Sequence, residues 1–340
     1  MSDVNSMKQK IFLNHLGKYV NHGSLNKSDV LLGYFSPIAP FHKNASLLSS
    51  LHSKLNSESK GTIKEKFNIP QYQGTNPAVL KVSDFIREHV AEYVKAVIVH
   101  GSLASNEEIA YSDFDALVIL KDSTLNSPTQ LINAAINLSK CYSLMLEFDP
   151  LQHHGWFAMS ETDLMNYPVS YLPPEVLPFC CSLNGPVELN ISYSITPISD
   201  SSFFKLVNSL TKQIQPDYIP KNLFYAKSIM SEFMMLPTLF IQHKTLSGIY
   251  KKFSFEKAKQ YFTTEEWKVM DEISELRRNW TKENAMLSFD VPCVMSVAKK
   301  KKQKSHAPLL SDQLKKKFES GLSTRMLDFI DTLKLKANET

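Results

Sequence analysis

The sequence predicts a mixed helix and strand protein: a sheet domain of α/β or α+β class followed by a mainly helical half. Three observations carry this. Two short apolar runs, residues 96–100 and 113–120, have the length and β-branched content of strands. An amphipathic helical pattern precedes the first of them. From residue 201 onward apolar residues recur at helical spacing almost to the end.

The elements follow in order. Residues 1–75 are polar and rich in Ser, Asn and Lys, and read as an N-terminal extension with one or two helices and loops. Val82, Phe85, Ile86, Val90, Tyr93 and Val94 form one face of a helix, with Lys81, Asp84, Arg87, Glu88 and Glu92 on the others. The first strand ends at Gly101-Ser102, and the second begins at Asp113-Phe114-Asp115. Residues 121–129 read as loop, 131–138 as helix and 143–149 as a third strand, which residues 155–159 extend beyond a kink at Pro150. Six prolines between positions 168 and 197 exclude a long helix there and imply a wrapped loop or short edge strands. Residues 223–239, 255–262, 264–280 and 309–335 read as helices, and the lysine run at 299–304 reads as a surface loop. The expected organisation is an extension at 1–75, a sheet domain at 76–200 and a helical domain at 201–340.

Composition narrows the function classes. The 340 residues are 43% apolar and 21% charged, which excludes a wholly disordered chain. No run of about 18 apolar residues occurs, so no membrane span is expected. The N-terminal residues lack the basic and apolar segments of a secretory signal. Cys141, Cys180, Cys181 and Cys293 form no CxxC pair, so neither a disulfide framework nor a zinc knuckle is indicated, and a reducing cytoplasm is the expected compartment. The net charge of +4 does not by itself argue for nucleic acid.

The informative stretch runs from His100-Gly101-Ser102 to Asp113-Phe114-Asp115. Side chains alternate along a strand, so Asp113 and Asp115 share a face. Two adjacent carboxylates repel unless a cation lies between them, and an isolated pair in an apolar strand is costly without a purpose. The pair therefore suits Mg²⁺, a hard cation that also takes phosphate oxygens. Two such ions about 3.5–4 Å apart can hold the attacking and leaving oxygens of a phosphoryl displacement. Gly101 permits close backbone approach to a triphosphate, and Ser102 supplies a hydroxyl to its oxygens.

An apolar strand, Gly-Ser, a variable stretch and Asp-x-Asp together resemble the nucleotidyltransferase superfamily, typified by DNA polymerase beta, kanamycin nucleotidyltransferase and CCA-adding enzymes. The resemblance covers about residues 80–160. It implies an α+β fold, with a small mixed nucleotidyltransferase sheet flanked by helices and followed by a mainly helical domain. It also implies that Gly101 and Ser102 bind phosphate, that Asp113 and Asp115 bind two Mg²⁺, and that a third carboxylate joins the metals and helps activate the acceptor. Glu147 and Asp149 compete for that role on the expected third strand. Asp149 is preferred, because it lies at the strand's end and because the family usually uses Asp.

Other segments carry weaker signals. His153 and His154 follow the proposed carboxylate, as a substrate contact or proton shuttle, or as a polar turn. Lys251 and Lys252 resemble a basic segment that related enzymes present to the nucleotide triphosphate, with Tyr250 or Phe253 against a base; a solvated basic helix start capped by Ser254 is the plainer reading. Arg277, Arg278 and Trp280 read as the end of an amphipathic helix, where the arginines offset its dipole. Cys180-Cys181 reads as packing. The lysines at 299–304 lack interleaved aromatics, so base stacking is not expected there.

The function expected is transfer of an NMP from an NTP such as ATP to a hydroxyl-type acceptor, with release of pyrophosphate. The acceptor is a small molecule, a nucleic acid end or a protein side chain. The alternative is a catalytically silent nucleotide-binding or interaction module. A serine hydrolase is excluded, since no Gly-x-Ser-x-Gly elbow occurs.

Overall fold

The computed structural model describes residues 61–152, 155–169, 172–194, 201–281 and 304–339. The first 60 residues, His153, His154, Cys293 and the lysines at 299–302 lie outside the described residues. The fold is α+β: a small mixed sheet with helices beside it, a two-stranded ribbon and a helical C-terminal region.

Strand β1 (Thr62–Ile69) precedes helix α1 (Pro77–His89) and strand β2 (Val94–Val99). Asn76 caps α1 by accepting from the backbone N–H groups of Ala78 and Val79, with Pro77 just inside the helix. The apolar register continues to Tyr93 as expected, yet the helix stops at His89 and Val94 already belongs to β2. Strand β3 (Ala116–Leu120) leads to the short helix α2 (Asp122–Asn126), where loop was expected, and then to the long helix α3 (Pro128–Phe148). Strand β4 (Phe157–Ser160), helix α4 (Glu161–Leu164), a 3₁₀ turn (Pro174–Phe179), the two-residue β5 (Cys181–Ser182) and β6 (Val187–Ser194) complete the sheet half.

The main sheet has the order β4-β3-β2-β5, with β3 parallel to β4 and the other pairs antiparallel. Both its faces are covered, which is why β2 and β3 read as continuous apolar runs. Val97, Val99, Ala116 and Val118 pack with α1 and α3 through Val82, Ile86, Leu138, Cys141 and Met145. The alternate residues Ala96, Ile98, Leu117 and Ile119 pack with Ile69, Leu189, Ile191 and Leu177. Cys180 is buried in this second cluster, consistent with packing.

Two expectations about the sheet are corrected. Residues 143–149 are not a strand: they form the last turns of α3 and its cap. Their alternation of Leu144, Leu146 and Phe148 competes with the helical series Leu138, Cys141, Tyr142, Met145 and Leu146, all buried, and no Gly or Pro interrupts that series before Pro150. Residues 61–75 are more than extension, because β1 pairs antiparallel with β6 over eight residues, Thr62 opposite Ser194 through Ile69 opposite Val187. The partner lies over a hundred residues away, so no local pattern announces the pairing.

The C-terminal region contains α5 (Ser201–Gln213), α6 (Leu223–Phe233), α7 (Leu236–Thr245), α8 (Lys251–Lys259), α9 (Thr264–Arg278), α10 (Asp312–Glu319) and α11 (Leu322–Asn338). The single helices expected over 223–239 and 309–335 are each broken. Pro237 sits in the first turn of α7, and Gly321 takes φ +85° between α10 and α11. Ser254 does not cap α8. It lies inside the helix, buried, at hydrogen-bond distance from Thr238 (2.9 Å). One apolar core joins these helices, and Tyr111 and Leu151 from the sheet half insert into it.

Candidate functional site

The site forms where the C-terminal end of β2 meets the approach to β3. His100 donates its backbone N–H to the Asp115 carbonyl (3.0 Å), extending the β2–β3 pairing one step beyond the strands. This sets Gly101 against Asp115. Gly101 has φ +72°, and a Cβ built on it would stand 3.1 Å from Asp115 Oδ2. The left-handed conformation favours glycine, and a Cβ here would crowd the Asp115 carboxylate. Ser102 donates its hydroxyl to Ser112 Oγ (3.0 Å), which also accepts the Ile109 N–H (3.0 Å).

Asp113 and Asp115 precede β3 rather than lying within it, since the strand begins at Ala116. A side chain absent from the sequence-based expectations holds them in place. Gln152, fully buried, accepts the Phe114 N–H (2.9 Å) and donates to the Phe114 carbonyl (3.1 Å). Phe114 is buried edge-on to Phe148, ring centroids 6.0 Å apart. With its ring packed and both its peptide groups bonded, Phe114 anchors the backbone that presents the two aspartates.

The structure separates the two candidates for the third carboxylate. Glu147 is exposed on α3 and pairs with Lys81 (2.6 Å). Asp149 is buried at 4% exposure and caps α3 in an extended conformation, as expected of a residue before proline. Its Oδ1 accepts the Leu151 N–H (3.1 Å). Its Oδ2 lies 2.7 Å from Lys227 Nζ, and that same ammonium lies 2.7 Å from Asp113 Oδ1. Asp113 and Asp149 are thus brought together around one lysine from α6.

Lys227 is fully buried, with its ammonium 5.0 Å from the Tyr111 ring centre and its carbonyl accepting the Tyr111 hydroxyl (2.8 Å). Burial alone would lower its pKa, but Asp149 and Asp113 outweigh burial and raise it. Burial raises the Asp149 pKa; Lys227 opposes that rise and Asp113 adds to it, since two carboxylates share one ammonium. Sequence reasoning missed Lys227, although a signal existed: it occupies the buried face of α6 among Leu223, Phe224, Ala226 and Met230, where an unpaired lysine would be costly.

The two lysines expected at the nucleotide differ. Lys252 is exposed and bonded to Glu107, which also accepts from Ser105 (3.0 Å) in the turn after Gly101. Lys251 is partly buried. Burial and Arg277 lower its pKa to about 8, while Asp115 and Asp113 act in the opposite direction. Gly101, Ser102, Asp113, Asp115, Asp149 and Lys251 thus share one electrostatic neighbourhood at the junction of the two halves, with Lys252 at its rim.

Comparison with known proteins finds no family model and no curated relative that matches this chain. Among the described residues, no helix is long and apolar enough to cross a membrane.

Proposed function

We propose that the protein is a nucleotidyltransferase that moves an NMP from an NTP to a hydroxyl-type acceptor. One observation carries the reading: a left-handed glycine-serine turn and an Asp-x-Asp pair are held face to face, Gly101 against Asp115, at one end of a small mixed sheet. Such a turn offers phosphate room and donors, while the carboxylates offer charge for a cation that shares its oxygens.

The donor set fits part of the expected metal site. Asp113 and Asp115 provide hard oxygens suited to Mg²⁺. One oxygen of Asp113 pairs with Lys227, and Asp149 accepts from the Leu151 N–H on one oxygen and pairs with Lys227 on the other, so the full three-carboxylate, two-ion set does not fit this arrangement. Among the described residues, no group of three or more His, Cys, Asp or Glu is placed to hold a metal ion. A divalent cation held by Asp113 and Asp115 supplies, when bound, charge that offsets the α-phosphate. The chain's own residues do the rest of the positioning. Gly101 admits the triphosphate, Ser102 orients its oxygens, and Lys251 and Lys252 supply positive charge from α8. In the transfer the acceptor oxygen bonds to the α-phosphorus, the α–β bridging bond breaks, and pyrophosphate leaves. The acceptor proton passes to a site carboxylate.

A second reading, a silent nucleotide-binding module, is favoured by the same Lys227, which engages both Asp113 and Asp149. Thermal shift with ATP, GTP, CTP and UTP, with and without Mg²⁺, followed by α-labelled NTP turnover, separates the two. Mg²⁺-dependent stabilisation and label transfer, both lost in Asp113→Asn and Asp115→Asn, are expected. Binding without release of pyrophosphate favours the silent module, and no shift at millimolar nucleotide overturns both.

A further inference from the structure

Two carboxylates held close together inside a protein need a positive charge between them, and either a bound divalent ion or a buried lysine can supply it. Here the fold has supplied the lysine. Lys227 Nζ lies 2.7 Å from Asp113 Oδ1 and 2.7 Å from Asp149 Oδ2. One ammonium thus bridges the first carboxylate of the Asp-x-Asp pair and the buried candidate for the third. Its side chain is 1% exposed, and it reaches the pair from α6, 78 residues after Asp149.

Tyr111 holds this part of α6 against the approach to β3. Its hydroxyl donates to the Lys227 carbonyl (2.8 Å) and lies 2.8 Å from Ser231 Oγ on the same helix, while its ring centre stands 5.0 Å from Lys227 Nζ. Tyr111 is itself buried, edge-on to Trp280 with ring centroids 5.1 Å apart. Withdrawal of the ammonium would leave a buried charge without a carboxylate, because its ion pairs among the described residues are those with Asp113 and Asp149. The Tyr111 ring offers no replacement. It is uncharged and already carries a second cation, the Arg277 guanidinium, 4.7 Å from its centre. A divalent ion entering between Asp113 and Asp149 would have to displace a charge that has no other counter-charge to meet.

We propose that the Lys227 ammonium stands in for one of the two divalent ions, as a permanent counter-ion between Asp113 and Asp149, so that the chain takes at most one divalent ion, at Asp113 and Asp115. The placement of that one ion rests on nucleotidyl transfer; the filling of the gap between Asp113 and Asp149 does not. The two kinds of cation differ in consequence. A divalent ion comes and goes with its concentration, whereas a tethered lysine is present whenever the chain is folded. An ammonium is also a compact single charge with three N–H donors and no open coordination position. It holds two carboxylates in place, but it cannot take an acceptor oxygen as a ligand and lower its pKa, as a metal ion can. Lys227 is thus a positioning residue.

The test counts ions on the full chain. Mn²⁺, a hard divalent ion that carboxylates also bind, is titrated without nucleotide and followed by electron paramagnetic resonance and by thermal shift. Wild type is expected to bind no more than one ion per chain. Lys227→Met and Lys227→Ala are each expected to bind one more than wild type, and to lose that extra ion when Asp149→Asn is added. In metal-free buffer both variants are expected to melt below wild type, and saturating Mn²⁺ is expected to close most of that gap, since the ion restores the missing charge. A lysine with a packing role alone would lower the melting temperature without adding an ion. Two ions on wild type, or no gained ion in either variant, overturns the proposal. If neither variant folds even with Mn²⁺, the wild-type count decides: one or none sustains the proposal and two overturns it. No ion on wild type with one on the variants removes the Asp113–Asp115 ion on which the transfer reading depends, and leaves Lys227 standing as the counter-ion.

Discussion

Two lysines are influenced by Asp113, Lys227 together with Asp149 and Lys251 together with Asp115, and they have opposite surroundings. Lys227 is fully buried between Asp113 and Asp149, 2.7 Å from each, and those carboxylates raise its pKa despite burial. Lys251 is less buried, makes no ion pair among the described residues, and is pushed down to about 8 by burial and Arg277. One lysine meets its counter-charge in two ion pairs, while the other makes none among the described residues. The contrast shows that a basic residue beside an acidic site is not informative by its type. What matters is whether the fold has already supplied its counter-charge.

The largest effect that would test this contrast lies at Lys227. Lys227→Met leaves Asp113 and Asp149 without the ammonium they share, and unfolding should become easier by about 3–5 kcal/mol in denaturant titration. Pairing it with Asp149→Asn should restore part of that loss in a double-mutant cycle. A change under about 1 kcal/mol would mean that Lys227 is not the satisfied member of the pair.

The next effect is pH-dependent and belongs to Lys251. Its folded pKa of about 8 lies below the ordinary lysine value of 10.5, so above pH 8 the unfolded chain binds more protons than the native one. Native stability, measured against Lys251→Met, should therefore rise from pH 8 toward pH 10. A flat profile would show that Lys251 keeps its charge across this range.

The smallest effect sharpens the comparison from outside the site. Glu147 pairs with Lys81 at the surface, so Glu147→Gln should change stability by less than about 0.5 kcal/mol and leave nucleotide binding as it was. Loss of nucleotide-dependent stabilisation in that variant would return Glu147 to the site.

Much of the fold was legible because it rests on short-range periodicity. The runs that became β2 and β3 are buried on both faces, so nearly every residue in them is apolar, and the helices after residue 201 show their buried stripe directly. Residues 143–149 were misread because a segment with apolar residues at both two- and four-residue spacing satisfies either period, and only the packing of α3 against α1 and the sheet selects one. The Gly-Ser turn and the Asp-x-Asp pair were visible as motifs, and Gly101 owes its identity to a positive φ and a 3.1 Å approach to Asp115. Gln152 was not visible, because an amide that clamps a peptide 38 residues away leaves no pattern in either neighbourhood.

By itself the sequence determined the class of fold, the order of most elements and the acidic and glycine-serine residues from which nucleotidyl transfer is proposed. These follow from local rules: side-chain periodicity, proline and glycine geometry, and the repulsion of adjacent carboxylates. The tertiary structure alone decided which charges meet. It brought Lys227 from α6 to Asp113 and Asp149, sent Glu147 to the surface, and placed Arg277 over Tyr111. Electrostatic partnership depends on distance in space and on exclusion of water, and neither is written in the spacing of residues along a chain.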